Sequence, residues 1–279
     1  MGASELKRAD ILVKAGCKLI VLDSSHGSCG PIRETMTGIR KAYGDSVDII
    51  AGNIASYASA MYLLEGDAKP DGLKVGIGPG SICTTRQVTG HGIPQVTAIF
   101  EVWRAVNDYG KRTGYFVPII ADGGLKSSGD IVKALASGAN GIMMGSALAG
   151  AQEAPGALVV KNGRKYKTIR GMGSRSAMEE RDGSRMRYFG GGAGGNKRAN
   201  VRLSTSQATK LVPEGVEGLV EFKGSTEKIL NVLTGGVQGG CSHSGALNIA
   251  ELQNKADFWL QSVAGLAEGR PHDLTDVRH

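Results

Sequence analysis

Short apolar runs alternate along the chain with longer amphipathic stretches. The apolar runs are rich in Val, Ile, Leu and Met, and they predict strands at residues 18–23, 48–53, 72–78, 117–124 and 141–146. The amphipathic stretches predict helices at residues 5–15, 31–43, 56–65, 96–109 and 128–137. Continuous apolar runs are typical of strands that are covered on both faces, as in a parallel sheet. The pattern therefore predicts five repeated β/α units.

Polar and glycine-rich residues gather directly after each predicted strand. In a (β/α)₈ barrel, the loops that follow the strands form the face that carries the active site. A closed barrel of this type has more strands than the five that the pattern supplies. An open, doubly wound sheet of five strands is the alternative on pattern alone, and the residues described below favour the barrel.

The chain changes character after residue 146. Residues 147–212 are polar and basic and include the glycine-rich run 190–195, which is typical of a functional loop or a linker. Two further amphipathic stretches, at residues 225–233 and 246–261, predict the last helices. We therefore expect a sheet-and-helix portion that is followed by a long loop, C-terminal helices and a tail.

Composition excludes several classes of protein. The chain has 43 glycines among 279 residues, about twice the usual share, but it lacks the G-X-Y period of collagen. Its 33 lysines and arginines outnumber its 26 aspartates and glutamates, which gives a net charge of +7, but the basic residues are scattered. Binding of phosphorylated small molecules accounts for this charge as well as nucleic-acid binding does, so we expect no specific nucleic-acid partner.

Two observations concern the cellular setting. No apolar stretch approaches the length that crosses a bilayer, so no membrane partner is expected. The four cysteines form no C-x-x-C pair, which argues against a zinc site and against a disulfide framework. Because no secretory leader is recognisable, we expect a reducing, cytoplasmic setting.

The most distinctive segment is Gly-Ile-Gly-Pro-Gly-Ser-Ile-Cys-Thr-Thr-Arg at residues 76–86, which follows a predicted strand. Its glycines allow a ligand to approach the backbone closely, and they expose N–H and C=O groups. A cysteine in such a loop is a candidate nucleophile. We interpret Cys83 in this way, whereas Cys17, in a strand-like run, reads as an ordinary core residue.

This segment resembles the cysteine loop of the IMP dehydrogenase and GMP reductase superfamily. Further blocks resemble the same family, in the family's order, at residues 22–27, 51–53, 120–124, 144–146 and 170–174. The resemblance implies a (β/α)₈ TIM barrel, of which this chain carries about the last five units. It also implies that residues 1–279 form a catalytic portion, with a flap and active-site loop at 147–218 and C-terminal helices and a tail at 219–279.

The family's chemistry begins when a cysteine thiolate attacks C2 of a purine nucleotide, and Cys83 matches that nucleophile. In the dehydrogenase, IMP gives a hydride to NAD and water then releases XMP. In the reductase, GMP loses ammonia and NADPH converts the intermediate to IMP. Arg187 and Tyr188 resemble the flap pair with which the dehydrogenase activates water, and Thr85 resembles the threonine that assists. Reductases generally lack this pair, so the resemblance favours the dehydrogenase; the reductase and a non-catalytic nucleotide-binding subunit are the alternatives.

The resemblance also implies the ligands of the nucleotide. Asp122 matches the ligand of the ribose hydroxyls, and Glu214 matches the acid that pairs with the purine edge. The remaining matches bind phosphate or base through hydroxyl and backbone groups: Ser81, Gly123, Gly124, Gly145, Ser146, Met172 and Gly173. Ile169 replaces a tyrosine that touches the phosphate in many relatives, and Tyr166 is the candidate substitute.

Further matches concern a dinucleotide and a cation. The NAD site is expected at Asp23, Ser24, Ser25, Asn53, Gly76 and Gly78, although a capping Asp-Ser-Ser turn is an alternative interpretation of the first three. A monovalent cation, K⁺, is expected on backbone carbonyls of Gly78, Gly80 and Cys83. Residues of a neighbouring subunit match its further ligands, which implies a homotetramer: Glu268, Gly269 and Arg270.

The largest departure from the family is at the N-terminal end of the chain. Relatives have a substantial region before the equivalent of Glu5, which contains the first barrel strands and usually a pair of regulatory domains. The chain is therefore expected to be an excised fragment, one piece of a split protein or a degenerate copy. Because a partial barrel exposes sheet edges and apolar interior surface, we expect activity only with a complementing N-terminal barrel segment.

Overall fold

The computed structural model describes residues 3–180 and 212–271. Its first part alternates helices and strands. The strands are β1 (Leu19–Asp23), β2 (Asp48–Ile54), β3 (Gly72–Val75), β4 (Ile119–Asp122) and β5 (Gly141–Met143). The helices are α1 (Ala3–Lys14), α2 (Gly30–Tyr43), α3 (Tyr57–Leu64), α4 (Thr85–Thr89), α5 (Gln95–Thr113) and α6 (Ser128–Ala136). The five predicted β/α units are confirmed.

The five strands form one parallel sheet in the order β1-β2-β3-β4-β5. The pairing runs from Leu19 opposite Asp48 at one side to Asp122 opposite Met143 at the other. Every residue of β3 is buried, as expected for a strand that is covered on both faces. Because the strands are parallel, the loops that follow them all emerge at the same end of the sheet.

The core lies between this sheet and the helices that pack on it. Fully buried side chains come from β2, β3, α2, α3 and α5 and include Met36, Ile39, Ile49, Ile54, Leu63, Leu73 and Ile99. Within the described residues, β1 and β5 are the outer strands of the sheet. They leave apolar side chains partly exposed: Leu19 by 45%, Val21 by 40% and Met143 by 39%. The sheet is therefore a segment with two open edges.

A second sheet, which is antiparallel, does not follow from the apolar pattern. It consists of β6 (Leu158–Lys161), β7 (Arg164–Arg170) and β8 (Glu217–Glu221), and the short helices α7 (Ser146–Ala149) and α8 (Arg175–Glu180) flank its first two strands in the chain. β6 and β7 form a hairpin around Asn162 and Gly163, whose φ angles are 51° and 74°. An Asn-Gly pair with positive φ at both residues is typical of two-residue hairpin turns. The signal was present in the sequence, inside a stretch that reads as a basic loop.

The C-terminal helices differ from their predicted bounds. α9 (Thr226–His243) continues ten residues beyond the predicted end, through a run of glycines. These glycines allow α9 to approach α6: a Cβ on Gly236 would lie 2.2 Å from Ser128 Oγ, and one on Gly240 would lie 2.5 Å from Val132 Cγ2. The predicted helix at 246–261 is shorter, as α10 (Ile249–Lys255), and α11 (Val263–Glu268) follows it.

None of the helices within residues 3–180 and 212–271 is long and apolar enough to cross a membrane.

Candidate active site

The cysteine loop connects the end of β3 to α4. Gly76 leaves the strand with a φ of 147°, and a Cβ built on it would lie 2.1 Å from the carbonyl oxygen of Asp122. Only glycine fits here, because both the backbone conformation and the close approach exclude a side chain. The start of the cysteine loop is therefore held against the end of β4.

Residues 214–216 hold the other end of the loop. The N–H of Thr84 donates to the carbonyl of Glu214 at 2.9 Å, and the N–H of Val216 donates to the carbonyl of Ile82 at 2.9 Å. Cys83 and Gly215 form an antiparallel bridge. Two segments that are far apart in the chain thus fix the position of the cysteine.

Cys83, Thr85 and Glu214 form a continuous chain of hydrogen bonds. The Cys83 thiol donates to Thr85 Oγ1 at 3.1 Å, and the Thr85 hydroxyl donates to Glu214 Oε2 at 2.8 Å. All three residues are half-buried. A thiol, a hydroxyl and a carboxylate in series can move a proton from sulfur to the carboxylate. Glu214, which was expected at a purine edge, is thus also linked to the nucleophile.

Asp122, at the end of β4, belongs to a polar cluster. Asn53 Nδ2 donates to Asp122 Oδ2 at 3.0 Å and to the carbonyl of Gly76 at 2.7 Å. Lys74 Nζ also donates to Asp122 Oδ2 and lies 2.8 Å from Asp23 Oδ1. Asp122, the predicted ribose ligand, therefore contacts Asn53 directly and Asp23 through Lys74. Asn53 and Asp23 are both predicted to bind the dinucleotide.

Lys74 is a site residue that was not predicted. Its side chain is 2% exposed, inside a strand that is buried throughout. A buried ammonium group is stable only when it is paired and hydrogen-bonded, and two carboxylates meet that need here. The available signal is a lysine inside the apolar run at residues 72–78, because such a lysine requires a buried partner of opposite charge.

A cavity of about 1080 Å³ opens beside the ends of β4 and β5. It is lined by Asp122 and by six of the seven residues that were predicted to bind phosphate or base: Ser81, Gly123, Gly124, Gly145, Ser146 and Met172. Its size suits a ligand as large as a nucleotide. The seventh residue, Gly173, accepts a hydrogen bond from the N–H of Glu214 at 3.0 Å.

The far wall of this large cavity comes from the second sheet and the start of α9. Ile169 lines the cavity, whereas Tyr166 pairs within the sheet and is not among the lining residues. Tyr166 therefore does not replace the tyrosine that many relatives have at position 169. Glu153 also lines the cavity, and it accepts hydrogen bonds from the hydroxyl and the N–H of Thr226 at 2.8 and 2.9 Å. These bonds, that of the hydroxyl first, lower the pKa of Glu153.

A smaller cavity of about 160 Å³ adjoins the large one. It combines residues of the cysteine loop with residues predicted for the dinucleotide: Ser24, Ser25, Asn53, Gly76, Gly78, Cys83 and Thr85. Gly80, Asp122 and Gly123 line both cavities, so Cys83, which lines the small one, lies close to their junction. Within residues 3–180 and 212–271, Asn53 Oδ1 is buried without a hydrogen-bond partner, which makes it a candidate acceptor for an N–H or O–H group of a ligand.

Two groups of predicted residues are not part of this arrangement. The residues predicted to complete a cation site are exposed and line neither cavity: Glu268, Gly269 and Arg270. The atoms nearest to a Cβ built on Gly269 belong to α11 and to Gln261 just before it. Arg187 and Tyr188 lie outside the described residues.

Comparison with known proteins places this site in a family. A model of the IMP dehydrogenase / GMP reductase domain matches residues 1–272. Inosine-5'-monophosphate dehydrogenase of Streptococcus pyogenes is 47% identical over 268 residues, and the protein of the same name from Aquifex aeolicus (strain VF5) is 44% identical over 277 residues. These matches cover 96% and 99% of this chain but 50% and 51% of the relatives, so the chain spans about half the length of the curated relatives it matches.

A solved structure is similar as well. It is a GMP reductase from Trypanosoma brucei in complex with guanosine 5'-monophosphate, with a TM-score of 0.80 and 40% sequence identity. The similarity covers 98% of this chain and 51% of that one. Since the family model matches almost every residue, the chain belongs to the IMP dehydrogenase and GMP reductase family.

Proposed function

We propose that this chain carries the active site of an IMP dehydrogenase, which oxidises IMP to XMP with NAD. The observation that carries the proposal is the hydrogen-bond chain Cys83–Thr85–Glu214 beside the junction of two cavities. A nucleophile at such a junction can meet a purine from one side and a dinucleotide from the other. The names of the curated relatives support the dehydrogenase in particular.

Cys83 supplies the nucleophile in the first half of the reaction. As its sulfur bonds to C2 of IMP, the thiol proton passes to Thr85 Oγ1 and the Thr85 proton passes to Glu214. The C2–H bond breaks with its electron pair, which leaves the purine attached to sulfur as a covalent intermediate. NAD, when bound, supplies the acceptor for that hydride.

Water releases the product in the second half. Its oxygen bonds to C2, the C2–S bond breaks, and XMP leaves. Glu214 returns its proton through Thr85 to the sulfur of Cys83, so the thiol is restored. Arg187 and Tyr188, which lie outside the described residues, are the groups we propose to take the proton of this water.

Each cavity offers groups that suit one of the two ligands. In the large cavity, Asp122 provides a carboxylate for ribose hydroxyls, and Ser81 and Ser146 provide hydroxyls for a phosphate. In the small cavity, the unpaired Oδ1 of Asn53 fits an N–H donor such as the amide of nicotinamide. Ser24 also lines the small cavity, but its hydroxyl donates to the carbonyl of His26 and accepts from the His26 N–H, so Asn53 is the residue that fits NAD.

GMP reductase is the second candidate. The observation in its favour is the solved GMP reductase that is 40% identical over nearly the whole chain. In that reaction, attack by Cys83 releases ammonia from C2 of GMP, and NADPH reduces the covalent intermediate to IMP. Cys83, Thr85 and Glu214 would serve either reaction. The Arg187-Tyr188 pair favours the dehydrogenase, because only the dehydrogenase must activate a water.

We also propose a homotetramer with a monovalent cation, K⁺, between subunits. The segment before and within α11 exposes large apolar side chains: Trp259 by 89%, Leu260 by 106% and Val263 by 87%. A contiguous apolar surface of this kind is typical of an assembly interface. The segment ends in the exposed residues 268–270, which a neighbouring cysteine loop can use as ligands. The carbonyl of Gly80 accepts one hydrogen bond, from the N–H of Cys83 at 3.1 Å, so its second lone pair fits a cation.

A complementing barrel segment is part of the proposal. The outer strands β1 and β5 each have one neighbour among the strands of the described residues, and both expose apolar side chains. The curated relatives have about as much chain again as the part that matches. We propose that further β/α units pair with these two edges and that turnover needs them.

The test is a pair of assays on the purified chain, alone and mixed with the N-terminal half of the Streptococcus pyogenes relative. NADH formation from IMP and NAD identifies the dehydrogenase, and ammonia release from GMP with NADPH identifies the reductase. Cys83→Ala should abolish either activity, whereas Cys17→Ala, at another free cysteine, should leave it unchanged. Turnover by Cys83→Ala would exclude the covalent mechanism. Full turnover by the chain alone, as a monodisperse preparation, would exclude the need for a complement.

A further inference from the structure

Lys74 joins two carboxylates that belong to different strands. Its Nζ contacts Asp23 at the end of β1 and Asp122 at the end of β4. The lysine side chain is 2% exposed, whereas the side chains of Asp23 and Asp122 are 37% and 22% exposed. The ammonium group therefore lies behind the two carboxylates, which are the parts that ligands can reach.

The two carboxylates differ in their relation to the cavities. Asp122 lines both cavities, whereas Asp23 lines neither and directly precedes Ser24 and Ser25, which line the small one. Among the described residues, the side-chain hydrogen bonds of Lys74 and Asn53 to Asp122 both end on Oδ2. These bonds leave Oδ1 as the oxygen we assign to a ligand. Lys74 orients this carboxylate without needing to touch the ligand.

The lysine is held tightly in its place. A Cβ built on Gly52, in the neighbouring strand β2, would lie 2.4 Å from the carbonyl oxygen of Lys74 and 2.8 Å from Lys74 Cβ. Glycine at position 52 therefore allows the two strands to approach at the point where the lysine side chain begins. Since Nζ contacts both carboxylates, a shift of the ammonium group towards one carboxylate weakens its contact with the other.

We propose that Lys74 is a positioning residue that couples the purine-nucleotide pocket to the dinucleotide pocket by holding Asp122 and Asp23 on one buried ammonium group. The proposal rests on the function proposed above, since it assigns the two carboxylates to the two ligands. When one ligand fixes its carboxylate, the shared ammonium group fixes the other carboxylate as well. Each ligand therefore prepares the site of its partner, and the coupling is reciprocal.

The test measures equilibrium binding of IMP and of NAD to the Cys83→Ala chain mixed with the N-terminal half of the Streptococcus pyogenes relative. This mixture is expected to bind both ligands without turnover. The affinity for IMP is measured with and without saturating NAD, and the ratio of the two affinities is the coupling. Lys74→Met, which keeps the length but removes the charge, should weaken each ligand by about tenfold to hundredfold and bring the ratio to one. Lys74→Arg keeps a cation that can contact both carboxylates and should restore the coupling.

A matched control is available at the opposite end of the sheet. Arg40 is 16% exposed, contacts Asp71 and lines neither cavity. Arg40→Met therefore removes a partly buried cation and its ion pair without touching the proposed link. It should lower the thermal stability but leave the ratio as in the parent.

Each outcome of this test either supports or overturns the proposal. Loss of coupling in Lys74→Met, with recovery in Lys74→Arg, supports the proposal, whereas a parent-like ratio in Lys74→Met overturns it. If Lys74→Met does not fold, Asp23→Asn decides. It should lower the affinity for IMP, measured without NAD, by about fivefold although Asp23 lines neither cavity, and an unchanged affinity overturns the proposal. If the Cys83→Ala parent binds IMP and NAD independently, the coupling is overturned but the proposed function is not. A parent that binds neither IMP nor GMP overturns the proposed function and the coupling together.

Discussion

Thr85→Val tests the proton path that leads away from Cys83. Valine has nearly the shape of threonine but lacks the hydroxyl, so the change removes hydrogen bonds of 3.1 Å to Cys83 and 2.8 Å to Glu214. A hydrogen bond to a charged group contributes about 1.5–3 kcal/mol. Since about 1.4 kcal/mol in the barrier changes a rate about tenfold, the rate of the first hydride transfer should fall about tenfold to hundredfold.

The assay is NADH formation in a single turnover, with the protein in excess over IMP, so that hydrolysis and product release do not contribute. Thr85→Ser keeps a hydroxyl and should retain most of the rate. Thr89→Val is a matched control in the same helix. Among the described residues, the exposed Thr89 hydroxyl bonds to the carbonyl of Thr85 and to the N–H of His91, and to no side chain. Its effect should stay within about 0.5 kcal/mol, as for other exposed substitutions.

Two results would refute this reasoning. A Thr85→Val chain with the parent's single-turnover rate would show that the hydroxyl carries no proton in the rate-limiting part of the step. A change in the affinity for IMP with an unchanged rate would assign Thr85 to binding instead. The separation of rate from affinity therefore decides between a path for protons and a simple contact.

Arg187→Ala should slow hydrolysis far more than hydride transfer, so that a burst of NADH about equal to the protein concentration precedes slow turnover; equal slowing of both steps would contradict a water-activating role. Glu153→Gln should lower the melting temperature at neutral pH but not in acid. The Thr226 hydroxyl lowers the pKa of folded Glu153, so the stabilisation is present above the pKa of an unfolded glutamate and is lost as the pH falls through the folded pKa; a difference independent of pH would count against this. In α9, Gly239→Ala should stabilise the chain by up to about 1 kcal/mol, since its Cβ meets no atom within 4 Å. Gly240→Ala should destabilise it by about 1–3 kcal/mol, since its Cβ would meet Val132 at 2.5 Å; urea unfolding of both variants checks the contrast.

The parallel sheet could be predicted because its signal is local. Each strand is a continuous apolar run, and burial on both faces is the physical reason for that composition. The cysteine loop could be located for a similar reason, because its glycines record a backbone approach: Gly76 has no room for a Cβ beside the carbonyl of Asp122. In both cases the residue type alone shows what the structure demands at that position, so each segment of the chain can be interpreted separately.

The role of Lys74 could not be predicted in the same way. A lysine in an apolar run shows that a partner exists, but Asp23 and Asp122 lie on two other strands, and only the pairing order brings them to one ammonium group. The contact between Glu214 and Thr85 depends likewise on the bridge between residues 83 and 215. These links are tertiary, and no local pattern contains them.

In the described part of the chain, the residues proposed for the chemistry and the open edges of the sheet can be compared by position. The proposed nucleophile, its proposed proton path and the two carboxylates come from the ends of β1 and β4, the segment after β3 and residues 214–216, all within the described ranges. The open edges, in contrast, lie at β1 and β5. Asp23 sits at the end of β1, so the carboxylate that Lys74 holds on the dinucleotide side is the one next to an open edge. Pairing of β1 with a further strand should therefore stabilise the dinucleotide pocket directly. It should stabilise the purine pocket indirectly, through Lys74.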